Sequence, residues 1–443
     1  MGDNASVLKE AERILAITTP TLDSARLKSF VAPFFDCRES YLNLRRQHGS
    51  PLYIIEEQVL SDQARRFAAI FRSMLPDIRF FYAMKSNNHP VVSEILLRCG
   101  FGLDVSSGEE LRQAIDLGSK DIIFSGPGKT EGELSSAVQY GDRVTVLADS
   151  FGELERLEHA AATAGKTVRA GVRLTTDERG FWRKFGIPLT DLPRFLQAAR
   201  NCPHVAVQGL QFHTSWNLTP ENQVNFITRL GETLSRLDTA SRLMLKFIDI
   251  GGGYWPSQGE WLHAVATPEG KLRDCLAPGT ASPLDHRCLP AMPLEPFAQK
   301  IAEAIRAHIF PYTQCAIFAE PGRWICHDGL HILLTVVDKK AKDLVITDAG
   351  TNAIGWERFE SDYFPVLNLT RPGSTEQECL VLGSLCTPHD VWGYSYFGGG
   401  IEPGDVLLIP CQGAYTYSLR QQFIKPLPAT AILKGTLMPR GDR

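Results

Sequence analysis

The sequence predicts an α/β fold, a (β/α)8 barrel followed by a second domain that is all β. Three observations predict it. Short apolar, β-branched runs alternate eight times with amphipathic helical stretches, the pattern of a barrel built from strand–helix repeats. After Glu320 the alternation stops, and strands follow one another with turns between them and little helix. The 443-residue chain is also too long for one ordinary domain.

The eight expected barrel strands lie at 79–83, 102–105, 121–124, 144–148, 168–174, 205–212, 246–250 and 315–320. Segments such as 61–74, 108–117, 151–164 and 223–237 carry the helical spacing between them. An open doubly wound sheet would show the same alternation, so the count alone leaves that architecture open. Strands of the second domain are expected at 331–337, 343–346, 377–382, 405–409 and 430–433. The expected boundaries are an N-terminal segment over 1–50 that packs with the β domain, the barrel over 51–325, and a β-sandwich over 326–443. Residues 256–293 are rich in Pro, Gly and polar side chains and read as a long surface insertion.

Composition excludes several function classes. The hydrophobic fraction of 44% and charged fraction of 22% are those of a soluble globular protein. A net charge of −4 offers no basic surface for nucleic acid or an anionic membrane. No run approaches the length of a membrane span, and the N-terminus lacks a basic-then-apolar leader, so a cytoplasmic location is expected. Ten cysteines without a C-x-x-C pair argue against a zinc site and a disulfide framework, so no metal is expected.

The most informative run is Phe81-Tyr82-Ala83-Met84-Lys85-Ser86-Asn87, which places a lysine at the end of an apolar strand. Burial lowers a lysine pKa, and a neutral amine can form a Schiff base with an aldehyde. Lys85 therefore reads either as the holder of pyridoxal 5′-phosphate (PLP) at the mouth of the barrel or as a strand-end lysine with its ammonium in solvent. Other expected strands end in Asp104, Ser125, Arg173, His213, Gly251-Gly252-Gly253 and Glu320, and a barrel would bring these ends together. Consecutive glycines let backbone N–H groups approach a phosphate, although a plain turn reads the same way. Glu320, followed by Pro321-Gly322-Arg323, could keep a pyridine nitrogen protonated. Ser125-Gly126-Pro127-Gly128-Lys129-Thr130 fails as a P-loop because Ile123 stands where the motif needs glycine.

As an ordered set these pieces resemble the fold-type III PLP-dependent decarboxylases, the family of diaminopimelate, ornithine and arginine decarboxylases. The resemblance runs from about Pro51 to Tyr417. It rests on 82–87, Asp104 with Glu109-Glu110, His213, Gly251–Gly253, Glu320–Arg323, Cys386 with Asp390, and Gly413-Ala414-Tyr415. It implies an alanine-racemase-like barrel that binds PLP and a β-sandwich domain. It implies that Lys85 bonds the cofactor, Glu320 pairs with the pyridine nitrogen and His213 stacks on the ring. Gly251, Gly252, Gly253, Gly322 and Tyr415 would bind phosphate, with Asp104 and Glu110 supporting the pocket. It also implies a homodimer with shared active sites, Cys386 and Tyr415 reaching the site from the partner, and Cys386 as the proton donor to Cα.

The chain departs from the family where substrate is selected. Members that act on diamino acids usually carry Asp or Glu directly after the motif cysteine, and here Thr387 stands there. The Arg-Pro-x-x-Tyr element of diaminopimelate enzymes is missing after Asp348-Ala349-Gly350, and the usual Gly-Ser after the motif histidine is replaced in Thr214-Ser215-Trp216. The substrate-binding candidates are Arg323, Asp348, Thr387 and Asp390. The expected activity is α-decarboxylation of an amino acid or amino-acid conjugate other than free diaminopimelate or ornithine. A racemase of the same fold and a non-catalytic regulatory homologue are the alternatives.

Overall fold

The computed structural model describes residues 4–355 and 358–435. The chain forms two compact units. One holds Leu60–Ser257 and Met292–Cys326; the other holds the residues up to Val59, Gln258–Ala291 and those from His327 on.

Strand β1 (Leu52–Glu56) belongs to the second unit. The first unit is a barrel of β2 (Arg79–Ala83), β3 (Gly102–Val105), β4 (Ile122–Phe124), β5 (Val144–Ala148), β6 (Val168–Leu174), β7 (Val205–Phe212) and β8 (Phe247–Asp249). Strands β9 (Glu260–His263) and β10 (His286–Leu289) form a separate antiparallel pair, and β11 (Ala316–Ala319) returns to close the barrel between β8 and β2. Every pairing around the barrel is parallel. All eight expected barrel strands are present, within one or two residues at each end.

Side chains two apart on a strand share a face, and that period builds the barrel interior. Phe81, Ile123, Leu147, Phe247 and Phe318, from five strands, pack together as an apolar floor. The rings of Phe247 and Phe318 stack with centroids 4.6 Å apart. Glycines on neighbouring strands make room for this floor. A Cβ on Gly209 would lie 2.2 Å from the Phe247 ring, and one on Gly171 would lie 2.9 Å from Leu147.

The second unit is built on one mixed eight-stranded sheet. To β1 it adds β12 (Leu330–Ala341), β13 (Leu344–Thr347), β14 (Leu367–Asn368), β15 (Glu376–Leu382), β16 (Val391–Phe397), β17 (Val406–Ile409) and β18 (Ala429–Leu433). The long β12 pairs with β1, β17 and β13, so the sheet turns back on itself. Three elements differ from the sequence expectation, the short β14 among them. Residues 52–56 pair with β12 and β18 in this sheet and take no part in the barrel, and the strand at 391–397 had not been anticipated. Residues 256–293 are also more ordered than an irregular excursion. They supply β9, β10 and the helix Pro268–Leu276, and Trp261 and Cys288 are buried in one core with Leu22, Phe34 and Leu52.

Candidate active site

One step above the floor, the same inward faces turn polar. Phe81 leads through Ala83 to Lys85, Gly102 to Asp104, Ile123 to Ser125, Leu147 to Asp149 and Gly171 to Arg173. Gly209 leads to Gln211 and His213, Phe247 to Asp249, and Phe318 to Glu320. The barrel therefore gathers its ionisable groups at the C-terminal ends of the strands, over an apolar base that keeps water out from below.

Lys85 sits in the short 3-10 turn Met84–Ser86, with its side chain one-third exposed, and its Nζ lies 2.5 Å from Asp104 Oδ2. The other Asp104 oxygen accepts from Ser125 Oγ at 2.6 Å. Asp104 is fully buried. Burial, then the negative charge of Glu320, pushes its pKa up to about 6, against the opposing pull of Lys85 and Ser125. Glu110 supports the β3 end by accepting from Ser106 N at 2.7 Å, and burial raises its pKa.

Glu320 and His213 stand on the other side of the ring. Burial alone would push Glu320 up. The Lys85 ammonium and the Arg173 guanidinium oppose it and hold this carboxyl below the usual carboxylate range. Its Oε1 accepts from Gln211 Nε2 at 3.3 Å, and its Oε2 lies 3.8 Å from His213 Nδ1. That nitrogen accepts from Gly252 N at 3.1 Å, which places the ring proton on Nε2. Burial lowers the His213 pKa, so the ring is neutral.

The triple glycine joins this cluster. Gly251 N donates to Asp249 Oδ1, and Glu320 N donates to Gly251 O. Gly251 and Gly253 have φ of +68° and +81°, and a Cβ on Gly252 would lie 2.2 Å from Glu320 O. Only glycine permits this approach. Asn217 Nδ2 donates to Gly252 O, Asn217 N to Gly253 O, and Gln223 Nε2 to Ile250 O. Sequence reading missed Gln211, Asn217 and Gln223. Gln211 could have been found from its place two residues before His213, on the same strand face; Asn217 and Gln223 carry no local signal. Lys129 is buried and spends its ammonium on Gly126 O, Leu147 O and Glu153, so it offers nothing to a nucleotide.

These residues fit PLP. A buried Glu320 carboxylate that stays ionised suits a protonated pyridine nitrogen. Lys85 supplies the amine, and the glycine turn presents backbone close to Glu320 and His213.

The sheet unit carries the remaining candidates. Cys386 is exposed and Thr387 half-buried in the turn between β15 and β16. Asp390, expected at the substrate, is committed to the protein. Its Oδ1 accepts from Thr351 N and Oγ1, and its Oδ2 accepts from Leu385 N, so it shapes the turn that bears Cys386. Asp348 is partly committed, accepting from Thr335 N at 2.9 Å, and burial raises its pKa. Tyr415 has φ of +57° just after Gly413, whose N–H donates to His327 O. Among the described residues, His327, Asp328 and Cys411 bring three donor atoms within 4.8 Å of one another, one short of a closed zinc set.

Two family models match the chain in succession. The pyridoxal-binding domain of the pyridoxal-dependent decarboxylases matches residues 60–327, and their C-terminal sheet domain matches residues 323–413. The chain belongs to the pyridoxal-dependent decarboxylases. The cofactor of this decarboxylase is PLP. Among similar proteins is the diaminopimelate decarboxylase of Methanothermobacter thermautotrophicus, 27% identical over 409 residues and covering 89% of each chain. The L-glutamyl-[BtrI acyl-carrier protein] decarboxylase of Niallia circulans is 25% identical, covering 85% of this chain and 86% of its own. The fold is that of the diaminopimelate decarboxylase from Helicobacter pylori complexed with L-lysine. That likeness has a TM-score of 0.70 at 22% identity over 89% of this chain and 94% of that one. No described helix is long and apolar enough to cross a membrane.

Proposed function

We propose that this decarboxylase removes the α-carboxyl group of a modified or conjugated amino acid, and that free diaminopimelate and ornithine are poor substrates. The observation that carries the reading is the composition of the 385–390 turn. Thr387 follows Cys386, and the nearby carboxylate, Asp390, has both oxygens engaged by the turn itself. A distal ammonium would meet a hydroxyl there, and a buried unpaired charge costs several kcal/mol, on the order of 3–5. A relative that acts on a carrier-linked glutamyl group supports the same direction.

Bound PLP supplies an electron sink for the charge left when the carboxylate departs. Lys85 would hold the cofactor and later release the product amine. Glu320, ionised over the working pH range, would hold a proton at the pyridine nitrogen and keep the sink strong. His213, neutral and fixed by Gly252 N–H, would lie against the ring without adding charge. Asp104 would hold the Lys85 ammonium whenever it is not bonded to the cofactor. Cys386 would return a proton to Cα. In this reading Cys386 and Tyr415 act in the site of the partner subunit of a homodimer. A cytoplasmic setting suits ten cysteines that are all free thiols.

Product analysis tests the reaction. PLP-loaded protein should yield amine and carbon dioxide, and mixing inactive K85A with inactive C386A should recover part of the activity. An inverted amino acid as product would contradict decarboxylation; no recovery on mixing would contradict the shared site.

A further inference from the structure

The Thr214-Ser215-Trp216 departure has a structural counterpart. Thr214 and Ser215 line a cavity of about 580 Å³, within the range of about 300–1,000 Å³ that suits a small molecule. The loop after β6, through Thr176 and Trp182, makes a second wall. The third is one face of the helix Glu221–Arg236, where Asn222, Asn225, Phe226 and Arg229 fall at i, i+3, i+4 and i+7. The cavity begins one residue past His213, and Thr176 Oγ1 donates to His213 O at 3.3 Å. Its wall is therefore continuous with the His213 end of the rim.

The lining matches one kind of group. Among the described residues, the Ser215 hydroxyl and the Asn222 and Asn225 side-chain amides have no hydrogen-bond partner in the chain, so they bring unspent donors and acceptors to the wall. The charges cancel. Asp177 Oδ1 accepts from Arg179 N at 2.9 Å and lies 3.3 Å from Arg179 Nε, and beyond that pair stand one acid, Glu178, and one base, Arg229. A cavity without net charge gives no preference to a free ammonium or carboxylate. An amide, one donor and one acceptor, is what Asn and Ser side chains match, and the Trp182 and Phe226 rings suit the methylenes between amides.

We propose that this cavity is the subsite for the part of the substrate beyond the reacting amino acid, an uncharged chain with amide groups. The α-carboxyl must be free to leave, so the chain joins at the side-chain end. The proposal rests on the conjugated-substrate reading and gives the conjugate a place on the barrel unit.

The test uses full-length, PLP-loaded protein and two side-chain amides of L-glutamate: the methylamide, and the amide with β-alanylglycinamide, which carries two further amide groups. Wild type should favour the longer substrate about tenfold in kcat/KM, the effect of one or two hydrogen bonds. N222A/N225A should bring the two substrates within about twofold of each other. Equal efficiencies in wild type, or a preference that the double variant leaves unchanged, would overturn the subsite. A second readout needs neither turnover nor that variant. N-acetyl-β-alanylglycinamide, the chain without the amino acid, should change the tryptophan fluorescence of wild type and not of W182F, and an equal response from both would overturn the subsite too. The two readings fail separately. If neither glutamyl amide releases carbon dioxide but the chain alone gives the signal that W182F loses, the conjugated-substrate reading falls and the amide site stands. If both amides are turned over alike and the chain gives no such signal, the conjugated substrate stands and the subsite falls.

Discussion

The floor and the rim of the barrel lie two to four residues apart along the same strands, and they do opposite work. The floor residues Phe81, Ile123, Leu147, Phe247 and Phe318 form one apolar cluster, and glycines at 171 and 209 make room for them. On the rim, Lys85, Asp104, His213, Asp249 and Glu320 are charged or polar in the same interior. Burial drives Asp104 and Asp249 up and His213 down, while Glu320 is held low. The floor supplies folding energy and a dry base. The rim gathers buried ionisable groups whose charges shift one another, the setting in which a charged cofactor ring would be held. One or two strand periods separate stability from chemistry.

This division can be broken from either end. The largest effect should come from K85A. It should abolish the visible band of lysine-bound PLP and all turnover, while the melting temperature of the cofactor-free protein moves little. F247A should do the reverse, costing about 3–5 kcal/mol in denaturant unfolding through lost burial and a cavity, with the absorbance band intact in the folded fraction. A subtler effect is expected from Asp104. Its pKa of about 6 means that it gains a proton as pH falls through that value and loses its charge-assisted hold on Lys85. Activity should therefore decline below about pH 6, and D104N should be less active but should lack that acid limb. An unchanged limb in D104N would place the titrating group elsewhere.

The barrel was legible because buried parallel strands read as continuous apolar runs and the chemistry sits where each run stops. Lys85, Asp104, His213, Gly251–Gly253 and Glu320 could be picked out as strand ends. Their partnerships could not. That Ser125 serves Asp104 and Gln211 serves Glu320 depends on the tilt and register of neighbouring strands. The sheet unit was less legible. Residues 52–56 fall inside the expected barrel boundary at 51, but their partners, 330–333 and 429–433, are hundreds of residues away. Residues 391–397 contain Gly393 and Ser395 and run into a glycine triplet, which hides a strand that is fixed by its pairing with 376–382. Asp390 looked like a substrate group by its place in the cysteine motif. Its actual partners are the N–H groups of Thr351 and Leu385 and the Thr351 hydroxyl, which only the folded turn brings within reach.

The central claim is that the rim performs decarboxylation on an amino acid without a free distal ammonium. The most direct measurement is carbon dioxide release from PLP-loaded protein, comparing kcat/KM for free diaminopimelate, ornithine, lysine, arginine and glutamate with that for a carrier-linked glutamyl substrate. The account predicts slow release from every free amino acid, an intact absorbance band, and the highest efficiency with the conjugate. Fast turnover of diaminopimelate or ornithine would confirm the chemistry of the rim and contradict the reading of Thr387.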